Sequence, residues 1–218
     1  MQLHTFIGSP NGRKVEATID HLGLEVEFVD HDFIGGGLRT AQYVALNPNG
    51  SVPTLVDGGL TLWESNAIMQ YLADKAANDA LFPRDPRRRA DVVRWLCWEQ
   101  AQFNRACGIL AFETVAKPRL NFGPTNEALV AAAQVTLARF APVLERQLDG
   151  RSCLLGDGIT IADYAMVTFE SYRTAVPFDW SPFRNINAYF DRVAGSVHWQ
   201  RAVARNAEPA GRQSAAAE

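Results

Sequence analysis

Cysteine is scarce in this chain of 218 residues: Cys97, Cys107 and Cys153 form no CxxC pair, and an odd number closes no disulfide framework. A small disulfide-stapled fold is excluded, and reduced thiols in a cytoplasmic protein are expected. Histidine is nearly as sparse. His4, His21, His31 and His198 show no metal-ligand spacing, so no metal is expected. No apolar run approaches the ~18 residues of a membrane span, and the start MQLHTFIGSP lacks a basic region followed by an apolar stretch. Neither a membrane anchor nor an export signal is therefore expected. A basic stripe is missing as well: the formal charge is −3, and the one cluster, Arg87-Arg88-Arg89, lies between Asp85 and Asp91. It reads as a solvated helix face, with no nucleic-acid partner. No internal repeat is present.

What remains is ordinary globular material, 47% apolar and 21% charged, long enough for two modest domains. Charge divides unevenly. Residues 1–76 carry 4 Lys/Arg against 9 Asp/Glu, and residues 77–218 carry 17 against 15, which supports a boundary near residue 76. The 18 Arg to 3 Lys suggest a high-GC, bacterial genome.

Residues 2–7 and 25–30 alternate as strands, and between them Val15, Ile19 and Leu22 recur at helical spacing before the stop signal Gly23. Gly35-Gly36-Gly37 marks a loop, followed by a short helix ending at Asn47-Pro48. Residues 53–63 are two strands around Asp57-Gly58-Gly59, and residues 65–76 return to helix. The order βαβαββα predicts an α/β thioredoxin-like domain with a four-stranded mixed sheet over residues 1–76. Residues 77–86 read as a linker. An all-α helical domain follows over 87–205, with helices at 87–115, 126–148, 161–175, 184–194 and 198–205, and breaks at Lys117-Pro118 and Gly123-Pro124. The tail 206–218 is Ala/Ser/Gly/Pro-rich and is expected to be disordered. Thr160 and Asp163 form a capping box, with Ile159 and Tyr164 as its hydrophobic staple.

Three segments can carry chemistry. Ser9-Pro10-Asn11-Gly12-Arg13 places a hydroxyl at a helix N-terminus, where partial positive charge favours an anion. With His4 inside the preceding strand and no base in view, Ser9 reads as a turn or cap residue, or as a hydrogen-bond donor to another molecule's anion. Ser51-Val52-Pro53-Thr54 enters the hairpin; a cis Val52-Pro53 bond would turn the Val52 backbone groups outward to pair with an extended peptide. Glu64-Ser65-Asn66 opens a helix, either as cap and first-turn charge or as a clamp for a carboxylate and an ammonium group, such as a γ-glutamyl moiety carries. The topology brings all three to one sheet edge, which suits a small peptide with a thiol at its centre.

SPNGRKV at 9–15, ALNPNGSVPTLVDGGLTLWESNAIMQYL at 45–72 and GDGITIADYAM at 156–166 resemble the cytosolic glutathione transferase family over nearly the whole chain. The pattern is similar to bacterial, serine-type, theta- or nu-like members. The resemblance implies glutathione as co-substrate, a homodimer, Val52 pairing with the cysteinyl unit, Pro53 as a cis-proline, and Glu64 and Ser65 as the γ-glutamyl clamp. Ser9 aligns with the serine that contacts the glutathione sulfur, and Asn11 sits in a pattern similar to members that reduce disulfides. The cysteine of beta- and omega-like classes is missing at this position. Leu38 stands where many relatives place a histidine near the glycine carboxylate, and Ser51 replaces a common Lys/Arg; Arg39 is the substitute contact expected.

The implied activity is transfer of glutathione to small hydrophobic electrophiles, with Ser9 as thiolate donor and Asn11 in reserve. Phe33, Gln102, Phe103, Ala106 and Phe178 are candidate electrophile contacts, although a core or interface role is the favoured reading of these positions. Two other readings stand beside this one: glutathione-dependent disulfide or peroxide reduction, and a non-catalytic ligand-binding protein that kept the fold.

Overall fold

Leu3 and Leu55 face each other across the centre of the first sheet, both fully buried, and the sheet is built outward from them. In this computed structural model, which describes residues 1–156 and 158–207, β1 (Gln2–Thr5) pairs in parallel with β2 (Glu27–Asp30) and antiparallel with β3 (Thr54–Asp57). β3 turns at Gly58-Gly59 into β4 (Leu60–Trp63), giving the order β2-β1-β3-β4. The parallel pair needs a crossover, which α1 (Pro10–Leu22) supplies. α1 stops where Gly23 adopts φ +62°, a conformation a side chain would resist. α2 (Ala41–Leu46) precedes the hairpin and α3 (Ser65–Lys75) follows it, burying Ile68, Met69 and Leu72. The expected βαβαββα thioredoxin-like order and mixed sheet are present.

The described residues divide into two units, 1–82 with 196–207, and 83–195. In the second, a helical run from Pro86 to Leu120 comprises α4 (Pro86–Trp98), α5 (Asn104–Ala111) and α6 (Lys117–Leu120), joined by π-helical turns at Glu99–Phe103 and Phe112–Ala116. The break expected at Lys117-Pro118 falls instead at Asn121, in the left-handed region at φ +54°. The π turn before Pro118 widens the helix where the ring would meet the carbonyl four residues back. α7 (Glu127–Gln147) buries Val130, Ala133, Leu137, Ala141 and Leu144 along one stripe and packs on α5. By length and composition alone α7 is apolar enough to cross a membrane, a property it shares with core helices of soluble proteins.

The helix expected over 161–175 is shorter. α8 (Ile161–Met166) passes into a 3-10 segment, Val167–Tyr172. The Ala165 carbonyl, which an α-helix would offer to Phe169, is taken by the Asn104 amide at 2.6 Å and the Thr168 hydroxyl at 2.5 Å. α9 (Arg184–Ala194) completes the unit, and the capping box starts α8 as expected.

α10 (Val197–Ala207) belongs to the first unit, where the sequence had placed residues 198–205 in the helical domain. It packs along α1: Trp199 is fully buried, His198 bonds Asp20 at 2.7 Å, and His21 stacks on His198 with centroids 4.2 Å apart. Asn206, read as the first residue of the tail, closes this helix; residues 208–218 lie outside the described residues. The division between the units, at residues 82–83, falls within the segment 77–86; there Leu81 is fully buried and Asn78 Oδ1 accepts from the Ala80 and Leu81 N–H groups.

On the sheet, His4 Nδ1 and His31 Nε2 share a hydrogen bond of 2.9 Å, so one ring donates and the other accepts through an unprotonated nitrogen. Burial, then the neighbouring His31, brings the His4 pKa down from 6.5 to about 4, and burial lowers His31 as well. Glu27 and Asp30 are the carboxylates that act against these shifts. Unfolded histidines take up protons near pH 6.5 and folded His4 near 4. Between these values the unfolded state binds more protons, so stability is full above 6.5 and falls as the pH is lowered. For His4 the loss is on the order of 2–3 kcal/mol. Urea midpoints measured from pH 7 to 5 are expected to drop in the wild type and to flatten in His4→Phe; equal slopes would remove the pair from the pH response.

Candidate active site

β1 ends at Thr5, and the chain turns through Gly8, at φ +91°, to Ser9 at the N-cap of α1. Ser9 Oγ accepts from the Gly12 N–H at 3.0 Å, and the hydroxyl is buried within a residue only 3% exposed. Pro10 at the first helical position costs no hydrogen bond. Gly12 is required by a close approach: a Cβ there would stand 2.2 Å from Thr5 Oγ1 and 3.3 Å from Ser9 Oγ. The cap uses Ser9 as an acceptor, which leaves its own proton to donate. Cap and donor roles, alternatives in the sequence, therefore coexist. Asn11, one turn position on, is exposed.

The loop is also held from the far end of the chain. Asn206 Oδ1 accepts from the Gly8 N–H at 2.9 Å, while its amide donates to Glu16 Oε2 at 2.7 Å. Phe33, 39% exposed, stacks on Phe6 of the same loop with centroids 4.6 Å apart.

The second segment is fixed through one carbonyl. Ser51 C=O accepts from Tyr43 OH at 2.6 Å and Asn47 Nδ2 at 2.7 Å, and both donors also meet Thr54 Oγ1 at 3.0 Å. Burial raises the Tyr43 pKa, so the phenol keeps its proton, and its ring lies 4.4 Å from that of His31. The Val52-Pro53 bond that follows is cis. Leu38 is a core residue, 5% exposed, whereas Arg39 is exposed and runs beside Gly50, where an added Cβ would stand 2.9 Å from its guanidinium.

At the third segment Glu64, not Ser65, occupies the N-cap position of α3, and its side chain makes no cap bond. Glu64 is exposed and held at φ +74°, a conformation costing a non-glycine residue about 1 kcal/mol or more. Strain of this kind concentrates at ligand-binding positions. Ser65 and Asn66 are the first two helical residues and are buried, at 9% and 6% exposure. α1 and α3 thus each begin with a serine at the cap or on the first turn, at a helix end whose partial positive charge favours an anion.

Gln102, Phe103, Ala106 and Phe178 lie in the helical unit. Phe103 is fully buried among Trp98, Trp180 and Phe190, with centroids 5.7, 6.0 and 6.3 Å away, so the substrate contact expected of it is corrected to a core role. Ala106 is likewise buried, at 2% exposure. Gln102 is half-buried, and so is Phe178, which meets Trp180 edge-on at 4.6 Å. Among the described residues no group of three or more His, Cys, Asp or Glu is placed to hold a metal ion. Sequence reading missed Asn206 and Lys14, whose partners Gly8 and Asn66 lie 198 and 52 residues away, and Tyr43, whose partners Ser51 and Thr54 are 8 and 11 residues on. The one local signal was Tyr43, a large polar aromatic at the buried spacing of a short helix.

Comparison with known proteins agrees with this architecture. Residues 1–74 match the model of the glutathione S-transferase N-terminal domain, and residues 96–196 that of the C-terminal domain. A glutathione S-transferase of Hyoscyamus muticus is 32% identical over 209 residues, spanning 93% of this chain and 97% of that protein. The theta class glutathione S-transferase of Xanthomonas axonopodis pv. citri, solved with glutathione bound, is 30% identical and superposes with a TM-score of 0.81 over 93% of this chain and 96% of that one. Glutathione transferase F2 of Populus trichocarpa shares the fold with a TM-score of 0.87 at 21% identity, over 94% and 98% of the two chains. The chain belongs to the glutathione S-transferase family, and it is a transferase that uses glutathione as co-substrate.

Proposed function

We propose that this enzyme activates the glutathione thiol at Ser9, in the manner of serine-type members, for attack on small hydrophobic electrophiles. The observation that carries the reading is the Ser9 hydroxyl: its acceptor side is occupied by the Gly12 N–H, and its remaining proton is free to meet a sulfur anion at the positive end of α1. The thiolate is the nucleophile, and a thiol of pKa ~8.5 is only a few per cent ionised at neutral pH. Lowering that pKa by ~2 units needs about 2.7 kcal/mol of preferential stabilisation of the anion. A hydrogen bond to a charged acceptor and a helix end together supply that amount. Ser9 acts as a donor and not as a base, and the thiol proton leaves to solvent.

Val52 and Pro53 would align the cysteinyl backbone, with Ser51 held beneath them by Tyr43 and Asn47. Ser65 with the α3 N-terminus would take the γ-glutamyl carboxylate, Glu64 its ammonium group, and Arg39 the glycine carboxylate. Phe33, Gln102 and Phe178 stay as candidates for the electrophile. A homodimer is supported by the exposed apolar side chains Leu129, Val135 and Val143 on α7, and a cytoplasmic setting by three free cysteines. A second reading, glutathione-dependent disulfide reduction, draws on the exposure of Asn11 beside the nearly buried Ser9. Turnover with an aryl halide and with a small disulfide separates the two. Conjugation that survives Asn11→Ala supports the transferase, while disulfide reduction lost in Asn11→Ala with no conjugation in the wild type supports the reductase.

A further inference from the structure

Two distant parts of the chain meet beside the proposed thiol donor. Gly8, one residue before Ser9, donates its N–H to Asn206 Oδ1 at 2.9 Å, across 198 residues of sequence. The same side chain also reaches α1: Asn206 Nδ2 donates to Glu16 Oε2 at 2.7 Å, about two turns beyond the cap. Its second amide proton goes to the Ala202 carbonyl of α10 at 2.8 Å. Both protons and the oxygen of the amide are therefore engaged. A turned amide would set N–H against N–H at Gly8 and oxygen against the Glu16 carboxylate, so one orientation is allowed. Asparagine is a mediocre helix former, so α10 gains nothing intrinsic from it at this position.

Ser9 is held on its downstream side by the helix it caps, through the Gly12 N–H to its hydroxyl and the Arg13 N–H to its carbonyl at 2.9 Å. Its upstream side is a turn. There the backbone contributes the Ser9 N–H bond to the Phe6 carbonyl at 3.1 Å, and Gly8 stands at φ +91°, where glycine moves among neighbouring conformations at small cost. A rotation at Gly8 tilts Ser9 directly, since the two residues are adjacent. Asn206 opposes that rotation from a well-packed base. α10 lies along α1 with Trp199 fully buried, the Arg13 guanidinium 6.0 Å from the Trp199 ring and His198 bonded to Asp20. One amide thus ties the turn before Ser9 and the helix after it to a common point. We infer that Asn206 is a positioning residue for Ser9, aiming the serine hydroxyl at the glutathione sulfur from the last turn of α10. The inference rests on Ser9 being the donor to that sulfur.

The test is ultraviolet titration of the thiolate of bound glutathione, with steady-state kinetics, in the wild type, Asn206→Ala, His198→Ala, Ser9→Gly and the Asn206→Ala/Ser9→Gly double variant. Asn206→Ala is expected to raise the midpoint by ~1 pH unit, about a tenfold weaker preference for the anion. Turnover at neutral pH should fall between about threefold and about tenfold, with glutathione affinity changed by less than about threefold. His198→Ala removes the bond to Asp20 from the same helix and leaves Asn206 in place, so its midpoint should stay at the wild-type value. The double variant should match Ser9→Gly alone, because Asn206 acts through the hydroxyl. A midpoint unchanged in Asn206→Ala but raised in Ser9→Gly overturns the role of Asn206 and leaves Ser9 as the donor. An equal rise in Asn206→Ala and His198→Ala also overturns it, assigning Asn206 to helix docking alone, as does a rise that Asn206→Ala adds in full to Ser9→Gly. A midpoint that Ser9→Gly leaves in place overturns the donor reading, and this inference with it. If Asn206→Ala does not fold, Asn206→Leu, which keeps the volume without the amide, is read by the same outcomes.

Discussion

Ser9→Ala is expected to reduce conjugation turnover at neutral pH between about tenfold and about a hundredfold while changing glutathione affinity by no more than about threefold. The range follows from losing one hydrogen bond to a charged sulfur, about 1.5–3 kcal/mol, which moves the thiol pKa back by ~1–2 units. Alanine also removes the cap that Ser9 Oγ provides to the Gly12 N–H, so stability should drop by about 1 kcal/mol. Ser9→Gly separates the two effects. Glycine at an N-cap costs only a few tenths of a kcal/mol, so this variant should lose the same turnover and keep nearly full stability. Steady-state rates with urea unfolding of both variants check this, and full activity in Ser9→Gly would remove the hydroxyl from the chemistry.

Asp163→Ala is expected to cost at least about 4 kcal/mol, the largest stability loss foreseen for a single side chain here. Its carboxylate accepts from the Thr160 N–H at 2.7 Å, the Thr160 hydroxyl at 2.8 Å, the Leu154 N–H at 2.8 Å and the Tyr189 hydroxyl at 3.0 Å. Burial pushes the carboxyl pKa up and these donors pull it back, a balance consistent with an acceptor serving four donors in a fully buried position. Without it, each donor is left unpaired in the core at about 1–3 kcal/mol, against a total stability of about 5–15 kcal/mol. Tyr189→Phe, which removes one donor and leaves the acceptor satisfied, should cost only about 1 kcal/mol. Urea unfolding of both variants measures the difference, and a mild Asp163→Ala would mean the cap is dispensable.

The elements most legible in the sequence are those whose signals are local. Strand alternation around Leu3 and Leu55, the Gly58-Gly59 turn, the Gly23 stop and the Thr160–Asp163 box each lie within a few residues of what they determine. Ser9, Val52-Pro53 and Glu64-Ser65 were visible for the same reason, since each combines a turn or cap with a polar group. The misreadings came from long-range partners. Asn206 looked like the start of a small-residue tail, yet it bonds Gly8, 198 residues away. The shortening of α8 depends on Asn104, 61 residues before the carbonyl it captures. Phe103 carried the same helical spacing as a substrate-facing residue, and only its neighbours Trp180 and Phe190 reveal a core position.

Thiol activation is tested most directly by ultraviolet titration of the glutathione thiolate on the protein, in the wild type and in Ser9→Gly. The expected midpoint lies ~1–2 units below the ~8.5 of a free thiol and moves most of the way back in Ser9→Gly. A wild-type midpoint at the free value, or one that Ser9→Gly leaves in place, would mean that Ser9 does not activate the thiol.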